Sequence, residues 1–353
     1  MFPALKSAIL SNYHQFHKMS KAPKNQSTKK LAYSIIIPNL NGSALLKDCL
    51  TSLLQSINKT PQIIFEIILV DNASTDDSID IFSQLTTNLH TSIILNPKNY
   101  GFAKAVNIGI TKAKYDYIIV CNNDIKFDSN WFKEITKAIT TRPKYASYFG
   151  LVLNKDGSLI ESTGLKYYWR GKAKNIGNGL PYTKELKNQS TSIPIWGASA
   201  SLVVYKKNII QRLGGFDENF FAYEEDVDLA FRLNKFGYKT LFIPKAISYH
   251  LGGATSGKMG NFRAKMDAKN WIFLIVKNYS LKQILKYFPQ IVEERLRNFS
   301  GLCKQTIKIY NWQSIWILPI SIFQVYGQVL LKLPKILVKR FNFIENYKLK
   351  ILN

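Results

Sequence analysis

A dense group of carboxylates stands out in this sequence. Four acidic side chains fall within the five residues from Glu224 to Asp228. Apolar residues then recur at helical spacing from Leu229, and Gly237 supplies a stop signal, so the acids are predicted to begin a helix. Acids favour the first turn because they complement the positive end of the helix dipole. That preference explains one or two acids, but these also follow a glycine pair and an aromatic-rich loop at 214–223. A functional role is therefore the preferred interpretation.

A second candidate for chemistry is Asp124, which follows the predicted strand 117–120 in the run Asn122-Asn123-Asp124. An Asp after a strand is often only a turn former. A carboxylate at the mouth of a sheet can also hold a divalent cation that bridges nucleotide phosphates, because hard cations choose oxygen ligands. From Asp124 alone, both interpretations stay open.

Predicted strands and helices, which must position these acids, alternate along the chain. Short β-branched or apolar runs predict buried strands at 31–38, 65–70, 92–95 and 117–120. Helical segments fit between them, which predicts a mostly parallel α/β sheet with helices on both faces. Asp71, Asn99 and Asp124 each follow a predicted strand. In open α/β sheets that edge is where ligands bind, so a single ligand crevice is expected there.

The composition indicates a folded protein with an anionic partner. The chain has 353 residues, 46% of them hydrophobic, and a formal net charge of +25. Such a charge implies a polyanion or an anionic membrane surface. The sequence shows no zinc-finger spacing and no RNA-binding aromatic signature, and its Lys residues are scattered, which argues against nucleic acid. The cysteines are three and far apart, so a reducing compartment is expected.

The two ends of the chain differ from its middle. Residues 1–30 contain Lys but no acid, and their apolar piece is too short for a secretory signal, which predicts a flexible basic tail. Residues 257–353 are basic and aromatic-rich and are predicted to form amphipathic helices. The uncharged stretch 309–331 is long enough to span a bilayer but carries many polar residues. Helices in the membrane interface are preferred, with Trp312, Trp316 and Tyr326 at headgroup depth. A buried helix pair or a dimer interface is the alternative.

The order of these motifs resembles the family 2 glycosyltransferases, and more narrowly their rhamnosyltransferase-like branch. The resemblance covers about residues 33–256 and rests on Val70-Asp71-Asn72-Ala73-Ser74-Thr75-Asp76, the element 99–107, Asn122-Asn123-Asp124, and Glu225-Asp226-Val227-Asp228-Leu229. It implies a nucleotide-sugar-binding, Rossmann-like fold of the GT-A type over residues 31–256. It also implies transfer of a sugar with inversion at its anomeric carbon.

The resemblance also implies roles for individual residues. Asp226 would be the general base, supported by Glu225, and Asp124 and His250 would hold a divalent cation, Mg²⁺ or Mn²⁺. The residues implied to bind the nucleotide are Pro38, Asn41, Asp71, Asn99, Gly101, Lys104, Asn107, Asn122 and Asn123. Those implied to face the sugar and acceptor are Trp196, Gly197 and Asp228. Asn122 replaces the first Asp of the family's metal motif and removes one charge from the metal shell. The segment 252–256 resembles a loop over the donor.

The sequence therefore predicts an inverting hexosyl- or deoxyhexosyltransferase. Its donor would be a nucleotide-diphosphate sugar, such as dTDP-rhamnose or a UDP-sugar. Its acceptor would be a lipid-linked or cell-envelope glycan at the cytoplasmic face of the cell membrane. A nucleotidyltransferase is an alternative, although the loop 38–42 lacks that class's Gly-rich basic signature. A non-catalytic membrane- or polyanion-binding protein is a second alternative, against which the intact Asp71, Asp124 and Asp226 argue. The oligomeric state stays open.

Overall fold

The protein is described from a computed structural model that covers residues 30–183, 186, 188–251, 261–311 and 314–352. The predicted tail up to residue 29, the loop 252–256 and Trp312 lie outside the described residues. In chain order the elements are β1 (Ala32–Asn39), α1 (Ser43–Asn58), β2 (Ile64–Asp71), α2 (Ser78–Leu85), β3 (Thr91–Leu95), α3 (Phe102–Lys112), β4 (Tyr117–Cys121), β5 (Ile125–Phe127), α4 (Trp131–Thr141), β6 (Ser147–Asn154), β7 (Ile160–Ser162), β8 (Leu165–Tyr168), β9 (Lys172–Asn175), β10 (Ile193–Ile195), β11 (Leu202–Lys206), α5 (Lys207–Arg212), α6 (Glu225–Lys235), β12 (Thr240–His250), α7 (Phe262–Asn278), α8 (Leu281–Tyr310) and α9 (Ser314–Leu352).

One large sheet runs through residues 32–250. Its strand order is β10-β12-β6-β11-β4-β1-β2-β3, with β5 added on β12 and β7 on β6. Strands β3, β2, β1 and β4 pair in parallel, as do β6 and β12. Strand β11 runs antiparallel between β4 and β6. The predicted mostly parallel α/β sheet is confirmed.

Each face of the sheet carries its own apolar core. Alternate residues of β1 divide between the faces, because successive side chains of a strand point in opposite directions. Ile35 and Ile37 pack with residues of α1 and α4 on one face. Ile36 packs with residues of α3 and α6 on the other. Helices therefore cover both faces, as the continuous apolar runs predict.

The C-terminal helices α7, α8 and α9 pack against one another and against the sheet domain. Trp271, Phe273 and Leu274 of α7 share a core with Phe220, which precedes the acid cluster, and with Val227, which lies within it. The helical character of the C-terminal region is thus confirmed, and α7 is the element that joins it to the sheet. Within α9, the stretch Trp316–Phe341 is long and apolar enough to cross a membrane by length and composition.

Candidate active site

A cleft of about 880 Å³ lies at the carboxyl ends of the central strands. It is bounded by the loops after β1 and β4, the loop before α6, the β8–β9 hairpin and the end of β12. The residues singled out from the sequence that line this cleft are Pro38, Asn99, Gly101, Asn122, Asn123, Asp124, Glu225, Asp226 and His250. The structure thus brings together residues from distant segments of the chain at the predicted edge of the sheet.

Asp71 lies directly beneath the cleft lining and fixes two of its loops. Its carboxylate accepts hydrogen bonds from the Ser74 backbone N–H at 2.8 Å and from the Asn39 amide at 3.1 Å. Asn39 in turn accepts from the Asn123 amide at 2.7 Å. Asn41 lies outside the lining as well, and its side-chain oxygen accepts from the Thr75 backbone N–H at 2.7 Å. These residues hold the loops that follow β1 and β2 against each other.

The turn that carries Asn99 and Gly101 meets the loop before α6. The Asn99 side chain accepts from the Gly101 N–H at 2.8 Å. Gly101 has a φ of +82°, and a Cβ there would stand 2.6 Å from Phe221. Glycine is therefore required both by its backbone conformation and by this close approach. The contact places the N-terminus of α3 at the cleft.

Two other residues implied to bind the nucleotide lie away from the cleft. The Lys104 ammonium stands 4.4 Å from the centre of the Tyr100 ring, a cation–π contact. Asn107 exchanges two hydrogen bonds of 2.8 Å with the backbone of Phe216. Asn107 therefore anchors the loop that leads toward the acid cluster, and both its amide oxygen and its amide nitrogen are occupied there.

Asp226 is held at the start of α6 with its carboxylate on the cleft. One oxygen accepts from the Val227 N–H at 2.7 Å and the other from the Ala200 N–H at 3.0 Å. Burial raises the pKa of Asp226, and the two backbone donors oppose that rise without cancelling it. A carboxylate with a raised pKa is a better proton acceptor than an exposed one, as general-base catalysis requires.

Two glutamates stand beside Asp226. Burial, followed by the nearby Asp226 charge, raises the pKa of Glu225 well above its usual range. Burial, followed by Asp267, does the same for Glu224. Glu224 has a left-handed backbone with φ of 61° and lines the cleft, a position that helix-start reasoning from the sequence missed. The pKa values of all three acids on the cleft are therefore raised, and Asp226 is the one that two backbone N–H groups hold in place.

The loop before α6 is strained, and one buried side chain holds it. Phe221 and Tyr223 have φ values of 69° and 66°, in the left-handed region that costs non-glycine residues about 1–3 kcal/mol each. The Asn270 amide of α7 donates to the carbonyls of Phe220 at 3.1 Å, Ala222 at 2.8 Å and Tyr223 at 2.8 Å. Asn270 is fully buried. No sequence signal linked it to the acid cluster, because the contact forms only when α7 packs on the loop.

Asp228 is buried beneath the cleft in a network of charges. Arg232 contacts it at 2.7 Å, Lys277 at 2.9 Å and Asn278 at 3.0 Å. Burial alone would raise the pKa of Asp228, but Arg232 and Lys277 outweigh it, so the pKa lies below its usual value. Lys277 also contacts Asp217 at 2.7 Å. The structure thus places Asp228 in a structural network and away from the cleft lining.

His250 stands between two carboxylates at the end of β12. Its Nε2 lies 3.1 Å from Asp124 Oδ1, and its Nδ1 lies 2.6 Å from Glu161 Oε1. Burial lowers the pKa of His250, but the adjacent carboxylates of Asp124 and Glu161 raise it to about 10. Glu161 lines the cleft and was not found from the sequence.

Asp124 and His250 fit part of a cation site. Asp124 Oδ1 is buried and makes no hydrogen bond that meets normal geometry, although the His250 ring lies close to it. Over the described ranges, no group of three or more His, Cys, Asp or Glu side chains is arranged to hold a metal ion. Among the described residues, Asp124 and His250 are the side chains that would hold a cation here, and Mg²⁺ usually keeps several waters in its shell.

Trp196 and Gly197 position α6 and do not line the cleft. The Trp196 ring stacks on Tyr167 at 5.1 Å and meets Phe231 edge-on at 5.2 Å. A Cβ at Gly197 would lie 2.6 Å from the Cβ of Ala230, so glycine allows α6 to approach closely. Trp271 of α7 is the tryptophan that lines the cleft.

The sheet has a fold of the GT-A type. A mannosyltransferase from Pyrobaculum calidifontis, solved with GDP-mannose and Mn²⁺, superposes with a TM-score of 0.53 over 99% of this chain and 97% of its own, at 14% identity. GalNAc-T7, solved with UDP, GalNAc and Mn²⁺, gives a TM-score of 0.54 over 81% of this chain and 58% of its own, at 16% identity. These likenesses establish the fold.

The sequence comparisons establish the family. Residues 34–214 match the model described as glycosyl transferase family 2, and residues 128–330 match that of glycosyl transferase family group 2. The chain belongs to glycosyltransferase family 2, and the predicted resemblance is confirmed.

Rhamnosyltransferases are among its relatives. The N-acetylglucosaminyl-diphospho-decaprenol L-rhamnosyltransferase of Mycobacterium tuberculosis is 25% identical over 59% of this chain and 74% of its own length. The O-antigen chain rhamnosyltransferase WbaN of Salmonella anatum is 23% identical over 62% of this chain and 66% of its own. A poly-β-1,6-N-acetyl-D-glucosamine synthase of Staphylococcus epidermidis is 23% identical over 69% of this chain and 55% of its own.

Proposed function

We propose that this chain is an inverting glycosyltransferase that extends a lipid-linked or cell-envelope glycan. The observation that carries the proposal is the placement of Asp226. Its carboxylate, held by two backbone N–H groups, faces the cleft that Asn99, Gly101 and Asp124 also line. A proton acceptor thus lies in the same cleft as the residues implied to hold a nucleotide sugar.

In the proposed reaction, Asp226 accepts the proton of the acceptor hydroxyl. The hydroxyl oxygen forms a bond to the anomeric carbon as the bond to the nucleoside diphosphate breaks on the opposite face. One displacement of this kind inverts the anomeric configuration. General-base assistance of this type is worth about 10²–10⁴-fold in rate. The two backbone donors keep the Asp226 carboxylate oriented toward the cleft.

We assign a divalent cation, Mg²⁺ or Mn²⁺, to Asp124 and His250. A bound cation would neutralise charge on the departing diphosphate. Asn122, which lines the cleft beside Asp124, contributes no charge, so the protein shell carries a single carboxylate from that motif. The Mn²⁺ in the two solved neighbours supports this assignment.

The names of the relatives favour one class of sugar donor and one class of acceptor. Two are named as rhamnosyltransferases, which favours a deoxyhexosyl donor such as dTDP-rhamnose over a hexosyl UDP-sugar. The mycobacterial relative's name includes a diphospho-decaprenol acceptor, which favours an acceptor carried on a lipid diphosphate. We assign catalysis to residues 31–256 and membrane association to residues 257–353. The protein would then work at the cytoplasmic face of the cell membrane.

A donor panel tests the proposal. The purified chain is screened by thermal shift with dTDP-, UDP- and GDP-sugars, with and without Mn²⁺, because a ligand that binds only the folded state raises its stability. Binding donors are then incubated with lipid-linked acceptors, and the product anomer is read by NMR. We expect cation-dependent stabilisation by one donor and an inverted product. Formation of a nucleotide sugar from a nucleoside triphosphate and a sugar phosphate would contradict the proposal, as would a retained anomer.

A further inference from the structure

Helix α9 docks on the protein through a face that buries Ser321, Val325, Val329 and Ile336, and polar contacts line that face. Gln324 contacts Lys265 at 2.9 Å, Gln328 contacts Lys269 at 3.4 Å, and Ser321 contacts Asn261 at 3.3 Å, all from α7 or its start. Farther along the same side, Lys332 donates to the Asn219 carbonyl and Lys339 contacts Asp217 at 2.5 Å. These contacts recur at spacings that keep them on one helix face. Helix α9 is therefore docked along most of its length.

The opposite side of α9 is apolar and exposed. Large side chains on that side include Trp316 (73% exposed), Phe323 (78%) and Leu331 (79%). A helix of a soluble domain usually presents a polar face to water. The exposed apolar side of α9 therefore calls for a non-aqueous surface.

Helix α8 carries a similar exposed line. Its members, at spacings of three and four residues, are Leu281, Leu285, Phe288, Val292, Leu296 and Phe299. The opposite side of α8 packs inward through Ile291 and Leu302. Contiguous exposed apolar surface of this extent marks an interaction site.

We propose that the outer faces of α8 and α9 lie in the interface of an anionic lipid bilayer, with α9 parallel to the membrane and not across it. The docked contacts of α9 run from Ser321 to Arg340, about 30 Å of helix at 1.5 Å per residue. Arg340 at the far end donates to the Val276 carbonyl. A helix fixed along that length to a water-soluble sheet domain cannot leave it to cross the bilayer without breaking those contacts.

The positive charge of the chain favours an anionic membrane as the partner of the exposed faces of α8 and α9. The chain carries a formal net charge of +25, and exposed lysines flank the apolar lines at Lys282, Lys286, Lys304, Lys308 and Lys335. Two copies of so basic a surface would repel each other, whereas anionic headgroups attract it. Helices that lie in the membrane interface combine apolar side chains with flanking Lys residues. The inference rests on the proposed function in one respect: a lipid-linked acceptor would then reach the cleft from the same surface.

Vesicle flotation tests the binding surface. Wild type is compared with the double variant Phe323→Gln/Leu331→Gln and with the control Ile64→Gln/Leu95→Gln, which changes exposed apolar residues of the sheet domain. Vesicles contain phosphatidylcholine alone or with about 30% phosphatidylglycerol, an anionic fraction that attracts basic segments. We expect wild type and control to float with anionic vesicles, and the α9 variant to bind about tenfold or more weakly. Equal binding by all three proteins would overturn the proposal.

The depth of α9 in the bilayer distinguishes a helix that lies parallel to the membrane from one that crosses it. Trp fluorescence of wild type and of the variant Leu331→Trp is measured in vesicles with bromine placed near the headgroups or near the bilayer centre. An interfacial α9 predicts that the signal added by this substitution is quenched mainly by the shallow bromine. Stronger quenching by deep bromine would show a span and overturn the proposal. A change from dimer to monomer in Phe323→Gln/Leu331→Gln, with vesicle binding unchanged, would assign the face to a second copy and also overturn it.

Sugar transfer to a soluble acceptor analogue distinguishes a failure of the proposed function from a failure of the proposed membrane surface. The variant Phe323→Gln/Leu331→Gln should keep wild-type transfer to the soluble analogue, because neither residue lines the cleft. If wild type shows no transfer at all, the proposed function fails, while flotation still reports on the membrane surface independently.

Discussion

The sheet domain and the C-terminal helices use apolar residues in opposite ways. In the sheet domain the large apolar side chains fill two cores, and residues such as Ile36 and Val120 are fully buried. In α8 and α9 most of the exposed large apolar side chains of the described chain are found, while the inner face of α9 combines buried Val325, Val329 and Ile336 with polar contacts to α7. The first region keeps most of its large apolar side chains inside. In the second, the exposed apolar side is the surface that we propose to lie in lipid.

The junction between the regions has an apolar core beside a buried network of charges, and it lies next to the acid cluster. Lys277 of α7 bridges Asp217 and Asp228, while Lys339 of α9 also contacts Asp217. Asn270 and Lys269 complete the contact on the same helix as Lys277. The comparison therefore predicts that changes at the junction disturb both folding and catalysis.

The largest effect on stability is expected at Lys277. The Lys277→Met variant leaves Asp217 and Asp228 buried with fewer cations, and breaking a buried pair costs about 3–5 kcal/mol. We expect a loss near the lower end of that range, because Arg232 and Lys339 remain. Urea unfolding measures this loss in the free energy of unfolding. The surface control Lys133→Met should change stability by less than about 0.5 kcal/mol. A Lys277→Met protein as stable as wild type would show that the junction is not held by this network.

The sheet was readable from the sequence because its strands are short β-branched runs. The prediction of 65–70 lies within β2, Ile64–Asp71, and the acid cluster was correctly expected to begin a helix. Those features depend on local propensity and period, which a single sequence displays.

The supporting contacts of the site were not readable, because they join residues far apart in the chain. Lys277 meets Asp228 across 49 positions, and Asn270 meets Tyr223 across 47. The left-handed backbone of Glu224 likewise has no sequence signature, since only glycine favours that region. The roles given to Lys104, Asn107, Trp196, Gly197 and Asp228 stay predictions, and the structure gives each of them a packing or anchoring contact.

The second expected effect is on turnover, through the loop that Asn270 holds. The Asn270→Leu variant removes the donor to three carbonyls and releases the strained backbone that carries Phe221 and Tyr223. We expect kcat to fall about tenfold or more with donor KM nearly unchanged, because misplacing catalytic groups affects the reacting geometry first. The free energy of unfolding should fall by about 1–3 kcal/mol.

A matched control separates positioning from general loss of stability. Leu302→Ala removes a fully buried side chain between the C-terminal helices and should cost about 2–5 kcal/mol. It should nonetheless keep wild-type kcat at temperatures well below its unfolding. If Leu302→Ala and Asn270→Leu lost turnover equally, Asn270 would have no specific role in the site.

The smallest effect concerns Lys269, which is buried at the junction. Burial, then the charge of Lys332, lowers its pKa from 10.5 to about 8, while Glu224 opposes the shift. Between pH 8 and 10.5 the unfolded chain binds this proton and the folded chain does not, so this group makes stability rise with pH in that window. The free energy of unfolding is measured in urea for wild type and for Lys269→Met. The difference, wild type minus variant, should rise between pH 8 and 10.5. A pH-independent difference would mean that Lys269 is not desolvated.

The most direct test of the central claim is transfer by Asp226→Asn, a variant of nearly the same shape that cannot accept the proton. Single-turnover transfer and donor binding are measured on the same preparations. The account predicts that transfer falls by about 10²–10⁴-fold while donor affinity stays within about threefold of wild type. Transfer at the wild-type rate would contradict it, because another group would then have to be the base.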